Sequence, residues 1–399
     1  MPIYPVEGIQ IGSTAAGIRY QNRDDLVVIQ CQTGTTAAAV FTQNRFCAAP
    51  VHIAKQHLAD AAPRALLINS GNANAGTGEQ GMADSLATCD ALAETLDVAS
   101  DSVLPFSTGV IGERLPVSTL VDGLSDCIDS LDESEEAWQR AASAIMTTDT
   151  VPKLVSAQVL LDGKTVTITG IAKGAGMIRP NMATMLSFIA TDAVIDKALL
   201  QSALDTAVNI SFNRITVDGD TSTNDACIVL ASGASDMEPL DKDSSDYQLF
   251  VSALSEVMQS LATAIIRDAE GATKFITIDV SGGANESDCL AVAYTVAESP
   301  LVKTAMFASD PNWGRILAAV GRAPVDQLNI SSVSIGINDV QVISKGEPDE
   351  AYTEEAGQLA VAQEDITLSI EIGDGDPSAT VWTSDLSHEY VRINAEYRT

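Results

Sequence analysis

The sequence predicts an α/β protein whose sheets are layered in a sandwich and mix parallel with antiparallel strands. Short apolar runs alternate with Gly- and Asn-rich turns in the first third of the chain, which indicates strands joined by tight connections. Two alternating runs flank Asp162, Gly163 and Lys164, a composition typical of a hairpin turn. Long patterns of helical spacing follow in the second half. Because hairpins and helices intermingle, a layered sandwich is favoured over a doubly wound parallel sheet.

The individual elements follow from the period of the apolar residues. In the first half we predict strands over residues 26–30, 36–41, 65–69, 157–161 and 165–169, a strand ending in a Ser-Thr-Gly turn at 107–109, and helices over 82–96 and 141–150. In the second half we predict strands over 186–191, 274–280, 333–337, 340–343 and 366–372, and helices over 197–210, 247–268 and 288–307. Asp196 precedes the first of these later helices and is predicted to cap it.

Composition limits the classes of function. The chain has 399 residues, 46% of them hydrophobic, which suffices for a sizeable core in one large or two smaller domains. Lys and Arg number 22 against 54 Asp and Glu, so the formal net charge is −32. A phosphate backbone would be repelled, and we expect no nucleic-acid partner. Neither a secretory signal nor an apolar run of about 18–20 residues is evident, which predicts a cytoplasmic protein without a membrane partner.

Metal and cofactor sites are not predicted. The six cysteines, at positions 31, 47, 89, 127, 227 and 289, form no close pair. The three histidines form no ligand pattern either, so a structural zinc site is not expected. We therefore expect free thiols, no metal and no cofactor.

Residues 173–188 carry the strongest chemical signal. Thr184 follows Ala183 inside an otherwise apolar run. If the bond between them were cut, the threonine would gain its own α-amine, with a pKa of roughly 7.7–8.0, as a local base for its hydroxyl. The alternative is an ordinary β-branched residue on a buried strand. Lys173, before a Gly-Ala-Gly segment, is either a cation in a pocket or a solvated cation at a strand end.

Three further segments are candidates for the same chemistry. The hydroxyl of Thr108 and the backbone N–H of Gly109 could both face a developing oxyanion, although an ordinary turn fits the same residues. The hydroxyls of residues 146–150 suit either substrate contacts or a polar helix end. Glu270 could bind a ligand amine or form a helix-end salt link with a neighbouring basic side chain.

Taken in order, these segments resemble the ornithine acetyltransferase family, also called glutamate N-acetyltransferase, of the cyclic arginine pathway. The matching segments span the chain: residues 41–45, 69–76, 107–112, 146–150, 173–187, 267–274, 310–315 and 390–399. The resemblance implies a layered α-β-β-α sandwich with mixed sheets, of the kind shared with self-processing aminopeptidases.

The resemblance also implies self-cleavage between Ala183 and Thr184. The products are an α chain of residues 1–183 and a β chain of residues 184–399, which associate as two of each. The new N-terminal threonine takes the acetyl group from N2-acetyl-L-ornithine and passes it to L-glutamate, in a ping-pong cycle through an acetyl-threonine intermediate. Whether acetyl-CoA is a second donor, which would make the enzyme bifunctional, stays open.

Site residues are carried over from the family position by position. Thr184 is the implied nucleophile, and Thr108 with Gly109 is the implied oxyanion pair. The implied substrate-contacting residues are Thr147, Lys173, Thr184, Glu270, Asn394 and Thr399. Thr148 remains an alternative to Thr147. No histidine lies in these motifs, so a Ser–His–Asp arrangement is poorly supported and an amine base is favoured.

Two rival functions remain open. A self-processing aminopeptidase or amidase would use the same N-terminal threonine, with water in place of glutamate as the acceptor. An uncut, non-enzymatic relative would bind amino acids for regulation. A comparison of acetyl transfer with hydrolysis distinguishes the acetyltransferase from the aminopeptidase or amidase. A chain that remains uncut after purification would indicate the non-enzymatic relative.

Overall fold

A computed structural model describes residues 2–179, 185–326 and 328–396. The chain divides into two compact units. Among the described residues, 2–213 and 221–265 form the first unit, and 214–220 and 266–396 form the second. Both units are built from mixed sheets with packed helices.

The bounds of the elements are as follows. The strands are β1 (Ile9–Thr14), β2 (Leu26–Cys31), β3 (Thr36–Phe41), β4 (Ala65–Asn72), β5 (Val103–Val110), β6 (Lys153–Leu161), β7 (Lys164–Lys173), β8 (Leu186–Thr191), β9 (Ile215–Thr216), β10 (Ala226–Ala231), β11 (Phe275–Gly282), β12 (Ser334–Ile337), β13 (Val340–Ser344), β14 (Glu347–Pro348), β15 (Asp365–Glu371) and β16 (Gly375–Ser384). The helices are α1 (Ala49–Asp60), α2 (Gly78–Leu96), α3 (Val117–Asp122), α4 (Leu124–Asp129), α5 (Glu135–Ala144), α6 (Lys197–Asn209), α7 (Ser245–Arg267), α8 (Glu286–Ala297), α9 (Pro300–Phe307), α10 (Trp313–Gly321), α11 (Glu354–Val361) and α12 (His388–Glu396).

Two mixed sheets pack face to face in the first unit. One has the strand order β1-β2-β4-β5 and the other β3-β10-β8-β7-β6. Each contains one parallel pair, β4 with β5 and β8 with β10. Phe106 of the first sheet and Phe188 of the second meet edge to face, with ring centroids 5.0 Å apart. Such pairs add to the stabilisation from burial, so they help to fix the two sheets against each other.

Helices cover the outer faces of both sheets. Successive side chains of a strand point to opposite faces. Val27 accordingly lies in the core between the sheets, whereas Leu26 packs with Leu92 of α2 in a separate core. On the second sheet, a Cβ added to Gly170 of β7 would lie 3.1 Å from Leu261 of α7. The first unit is therefore the predicted α-β-β-α sandwich with mixed sheets.

The second unit is built on one mixed sheet of order β14-β13-β12-β15-β11-β16-β9. Its parallel pairs are β11 with β15 and β9 with β16. Ile276, Ile278 and Val280 alternate along β11 as the sequence pattern predicts, and all three are buried. They share a core with Val296 of α8 and Met306 of α9. One face of this sheet is thus covered by helices.

Many of the predicted elements are confirmed. The strands predicted over 36–41 and 186–191 coincide with β3 and β8. The carboxylate of Asp196 accepts hydrogen bonds from the backbone N–H groups of Ala198 and Leu199, at 2.9 and 3.0 Å, and so caps α6 as predicted. Elements without a predicted counterpart include β1, β16, α1, α3, α4, α10, α11 and α12.

The prediction of one helix over residues 288–307 is wrong, because two helices occupy it. α8 ends at Ala297 and α9 begins at Pro300. Proline has no N–H to donate to the preceding turn, and its fixed φ suits the first position of a new helix. The hydroxyl of Ser299 accepts a hydrogen bond from the backbone N–H of Val302 at 3.4 Å and caps that helix.

Two predicted local structures near the site are also wrong. The chain does not turn at residues 107–109, because β5 continues through Thr108 and Gly109 to Val110. The helix predicted over 141–150 is shifted, because α5 ends at Ala144 and residues 146–150 lie beyond it. Both places are held by contacts with residues distant in sequence, which local patterns do not record.

α7 is the one helix of the described chain that is long and apolar enough, by length and composition alone, to cross a membrane. Half of its apolar window is buried inside the protein. Phe250, Leu254, Leu261 and Ile265 have no exposed surface. This burial is typical of a core helix, and here the helix lies over the second sheet.

Candidate active site

Thr108 and Gly109 lie on β5 where its pairing with β4 becomes irregular. The register shifts between Gly71 and Asn72, so that Asn72 lies opposite both Thr108 and Val110. Gly109 has a φ of +132°, and a Cβ on it would come within 2.3 Å of the carbonyl carbon of Gly71. Only glycine fits there, because any other residue would collide with the backbone of β4. The bulge fixes the direction of the Gly109 backbone.

A polar network joins this strand to the segment 222–225. The side-chain amide of Asn224 donates to the carbonyl oxygens of Ala73 and Ser107, at 2.6 and 2.9 Å. The hydroxyl of Ser107 in turn donates to the side chain of Asn69 at 2.6 Å. All of these groups are buried. The strand that carries Thr108 is therefore tied to the residue that precedes Asp225.

Asp149 is the centre of a second buried network. Its Oδ1 accepts hydrogen bonds from Nζ of Lys153 at 2.6 Å and from the backbone N–H of Gly174 at 2.7 Å. Its Oδ2 accepts from the backbone N–H of Thr147 at 2.9 Å. One carboxylate thus connects Thr147 to the start of the segment that follows Lys173. It acts as the link between two of the predicted site segments.

The charge of Asp149 is held by its surroundings. Burial alone would raise the pKa of Asp149, but the positive charges of Lys173 and Lys153, together with the hydrogen bonds, lower it to about 2. The carboxylate is therefore ionised at neutral pH. Sequence reasoning did not single out this residue. Its position among the hydroxyls of residues 146–150 was the available signal.

Asp225 is a second buried carboxyl near Lys173. Burial raises the pKa of Asp225 well above its usual range, against smaller opposing effects of hydrogen bonding to Ser222 and the charge of Lys173. Lys173 itself ends β7 and is half-buried. The first unit thus brings together Thr147, Lys173 and two buried acids whose pKa values are shifted in opposite directions.

In the second unit, Glu270 and Asn394 contact each other. The side-chain amide of Asn394 donates to Oε2 of Glu270 at 2.7 Å. The predicted alternative, a salt link from Glu270 to a basic neighbour, is wrong. Arg267 pairs with Asp365 at 2.7 Å, and Nζ of Lys274 donates to backbone carbonyls of residues 361–363.

Three of the predicted site residues, Ala183, Thr184 and Thr399, lie outside the described residues. Among the residues that are described, no group of three or more His, Cys, Asp or Glu side chains is arranged to hold a metal ion. Burial raises the pKa of Cys31, Cys89, Cys127 and Cys227 to about 12, so these thiols are not nucleophiles at neutral pH.

Comparison with known proteins assigns the chain to a family. The model of the ArgJ family matches residues 10–399. The chain belongs to the ArgJ family. A relative from Pseudomonas fluorescens, named arginine biosynthesis bifunctional protein ArgJ, is 53% identical over 400 residues, covering 100% of this chain and 98% of that protein. A protein of the same name from Methylococcus capsulatus is 54% identical over 395 residues, covering 99% of this chain and 96% of its own length.

An ArgJ crystal structure is similar in fold. The structure of arginine biosynthesis bifunctional protein ArgJ from Bacillus halodurans is 41% identical, with a TM-score of 0.52. The match covers 54% of this chain and 100% of that chain. The mixed α/β architecture is therefore that of an ArgJ protein.

Proposed function

We propose that this protein is an acetyltransferase of arginine biosynthesis that moves an acetyl group from N2-acetyl-L-ornithine to L-glutamate. The observation that carries the proposal is the match of the ArgJ family model to residues 10–399. The relatives that cover the whole chain bear the name of an arginine biosynthesis protein. For that reason a self-processing aminopeptidase or amidase is not favoured.

Thr184 is the nucleophile of the proposed cycle, after the chain is cut between Ala183 and Thr184. Its freed α-amine takes the proton of its own hydroxyl, and the oxygen attacks the acetyl carbonyl carbon of N-acetylornithine. The C–N bond breaks, and the proton passes from the amine to the departing ornithine nitrogen. The amine of glutamate then attacks the acetyl ester, which releases Thr184 and forms N-acetylglutamate. The two half-reactions form a ping-pong cycle.

Thr108 and Gly109 stabilise the negative oxygen that develops in both half-reactions. The hydroxyl of Thr108 and the N–H of Gly109 are the two donors. The bulge between β4 and β5 supports this role, because a donor contributes most when its direction is fixed before the reaction. Removing one donor of this type lowers the turnover number by a factor of roughly 10²–10³.

The remaining site residues bind the amino-acid part of the substrates. Lys173 and the hydroxyl of Thr399 hold the substrate carboxylate, and Thr147 also contacts the substrate. Glu270 binds the substrate ammonium. The hydrogen bond from Asn394 to Glu270 supports this assignment, because it orients the carboxylate without neutralising it.

The two proposed chains remain associated after cleavage. Strands on both sides of residue 184 belong to one sheet, since β7 pairs with β8 along residues 168–173 and 186–191. The cut therefore leaves the hydrogen bonds of the second sheet intact. We propose an assembly of two α and two β chains located in the cytoplasm. We also propose acetyl-CoA as a second donor for glutamate, in keeping with the word bifunctional in the names of the relatives.

Mass spectrometry of the purified protein, combined with N-terminal sequencing, tests the cleavage. We expect a new N-terminus at Thr184 and two fragments in equal amounts. Thr184→Ala should give an uncut chain without acetyl transfer, because both the nucleophile and the base are lost. Acetyl transfer from N-acetylornithine to glutamate is compared with release of free acetate in the same assay. Hydrolysis without transfer would favour the amidase, and activity in Thr184→Ala would exclude this nucleophile.

A further inference from the structure

The carboxyl of Asp225 is buried without a full set of partners. The residue is 2% exposed. Within the described part of the chain, its Oδ2 has no hydrogen-bond partner. An ionised carboxylate in such a place is costly, because neither water nor a donor compensates the charge on that oxygen. A neutral carboxyl fits the same surroundings at much lower cost.

The backbone around Asp225 is fixed on both sides. Its carbonyl oxygen accepts a hydrogen bond from the backbone N–H of Thr42 at 2.9 Å, and the next residue, Ala226, donates its N–H to the carbonyl of Met185 at 2.9 Å. The preceding residue, Asn224, bonds to the strand that carries Thr108. The backbone of Asp225 is therefore held in place where β10 begins.

Four ionisable groups form one charge cluster, which we call the lysine cluster: Lys153, Lys173, Asp149 and Asp225. Asp149 contacts Lys153 directly, and the charge of Lys173 acts on both acids. With Asp149 ionised, a neutral Asp225 would give the cluster a net charge of +1, from two ammonium groups and one carboxylate. If Asp225 were also ionised, the cluster would carry no net charge. The charge of Asp225 also acts on the thiol of Cys47 and raises the pKa of that thiol.

We propose that Asp225 is a positioning residue that determines the affinity of the site for the substrate carboxylate. By staying neutral it leaves the lysine cluster with a net positive charge, inside a chain whose formal charge is −32. That local charge attracts an anionic amino acid to Lys173 against the field of the whole protein. The inference rests on the proposed function, in which Lys173 binds the carboxylate of glutamate or acetylornithine.

A dependence on pH follows, with a defined sign. Because burial raises the pKa of Asp225, the carboxyl is protonated below that pKa and ionises as the pH rises through it. The cluster then loses its net charge, and KM for the amino-acid substrates should rise. For one unit charge at several ångströms in a partly screened site, the rise is on the order of tenfold. The effect belongs to KM, since Asp225 acts through Lys173 and not on the reacting atoms.

Steady-state kinetics of the cleaved enzyme test the proposal between about pH 5 and about pH 10. Asp225→Asn cannot ionise, so its KM for glutamate should lack the rise at high pH and lie roughly tenfold below that of the wild type there. Asp192→Asn is the matched control. Asp192 is also buried with a raised pKa. It follows β8, whereas Asp225 precedes β10, so the two acids lie at opposite ends of this parallel strand pair. Oδ1 of Asp192 accepts a hydrogen bond from the backbone N–H of Thr167. This control should keep the wild-type profile.

A measurement on the wild type alone gives an independent test. The methyl ester of N-acetylornithine lacks the carboxylate, so its KM should not change with the ionisation of Asp225. The inference is overturned if Asp225→Asn keeps the wild-type rise in KM, if Asp192→Asn abolishes it equally, or if the ester shows the same rise as the acid. Failure of the wild type to transfer acetyl groups at any pH would instead overturn the proposed function.

Discussion

Replacing Asp149 by alanine should destabilise the first unit by about 3–5 kcal/mol. Nζ of Lys153 lies 2.6 Å from the carboxylate, and the two side chains are 1% and 0% exposed. Removing the acid takes the ion-pair partner at 2.6 Å from a buried ammonium, and breaking a buried pair from one side is strongly destabilising. The backbone N–H groups of Thr147 and Gly174 also lose their acceptor. These losses act together, so the decrease in the free energy of unfolding should lie in the upper half of the range of about 3–5 kcal/mol.

Urea unfolding of the variant measures this cost. The matched control is Glu113→Ala, which breaks an ion pair with Arg19 in the same unit whose members are 38% and 46% exposed. Exposed pairs of this kind contribute at most about 1 kcal/mol. Adding Lys153→Met to Asp149→Ala should recover part of the lost stability, because the double variant no longer buries an ammonium whose carboxylate has been removed. A cost below about 1 kcal/mol for Asp149→Ala, or no recovery in the double variant, would refute the reasoning.

Two further predictions concern backbone geometry and pH. Gly109→Ala should abolish acetyl transfer and lower the melting temperature, because the new Cβ would lie 2.3 Å from the backbone of Gly71. Gly112 also has a positive φ, of +82°, but the space around it is open. Gly112→Ala should therefore lower the free energy of unfolding by only about 1 kcal/mol. Lys303 is buried and its pKa is lowered to about 8, first by burial and against the charge of nearby acids. The folded state therefore binds fewer protons than the unfolded state between about pH 8 and pH 10.5. Because of this difference, the contribution of Lys303 to the free energy of unfolding increases as the pH rises through that window, by about 3 kcal/mol in total. The melting temperature of the wild type should rise relative to Lys303→Met over that window, and a constant difference would contradict the assignment.

Local sequence patterns predicted the elements whose residues decide their own structure. β3 and β8 are short, mostly apolar runs, and Asp196 caps α6 because a short acidic side chain can reach the first backbone N–H groups of its own helix. The break at Pro300 could have been predicted in the same way, since proline starts helices and does not continue them. The helical spacing of apolar residues on both sides concealed it.

Non-local contacts decided the places where the predictions are wrong. Gly109 stays in a strand because β4 supplies the irregular partner for its positive φ, and β4 is about forty residues away in the chain. Residues 146–150 leave the helix, and there Asp149 takes the backbone N–H groups of Thr147 and Gly174. Gly174, 25 residues from Asp149, and β4 both lie outside a window of a dozen residues.

The sequence by itself determined the family and the layered fold, and it predicted most of the candidate site residues, because the segments that carry them recur in a recognisable order. It did not determine which of 54 acidic residues are buried beside Lys173, nor that the pKa of one of them is lowered and that of another raised. Burial and pKa depend on which strands pack together, and the packing of β7, β8 and β10 joins residues from distant parts of the chain. The tertiary structure alone therefore decided the electrostatics of the site.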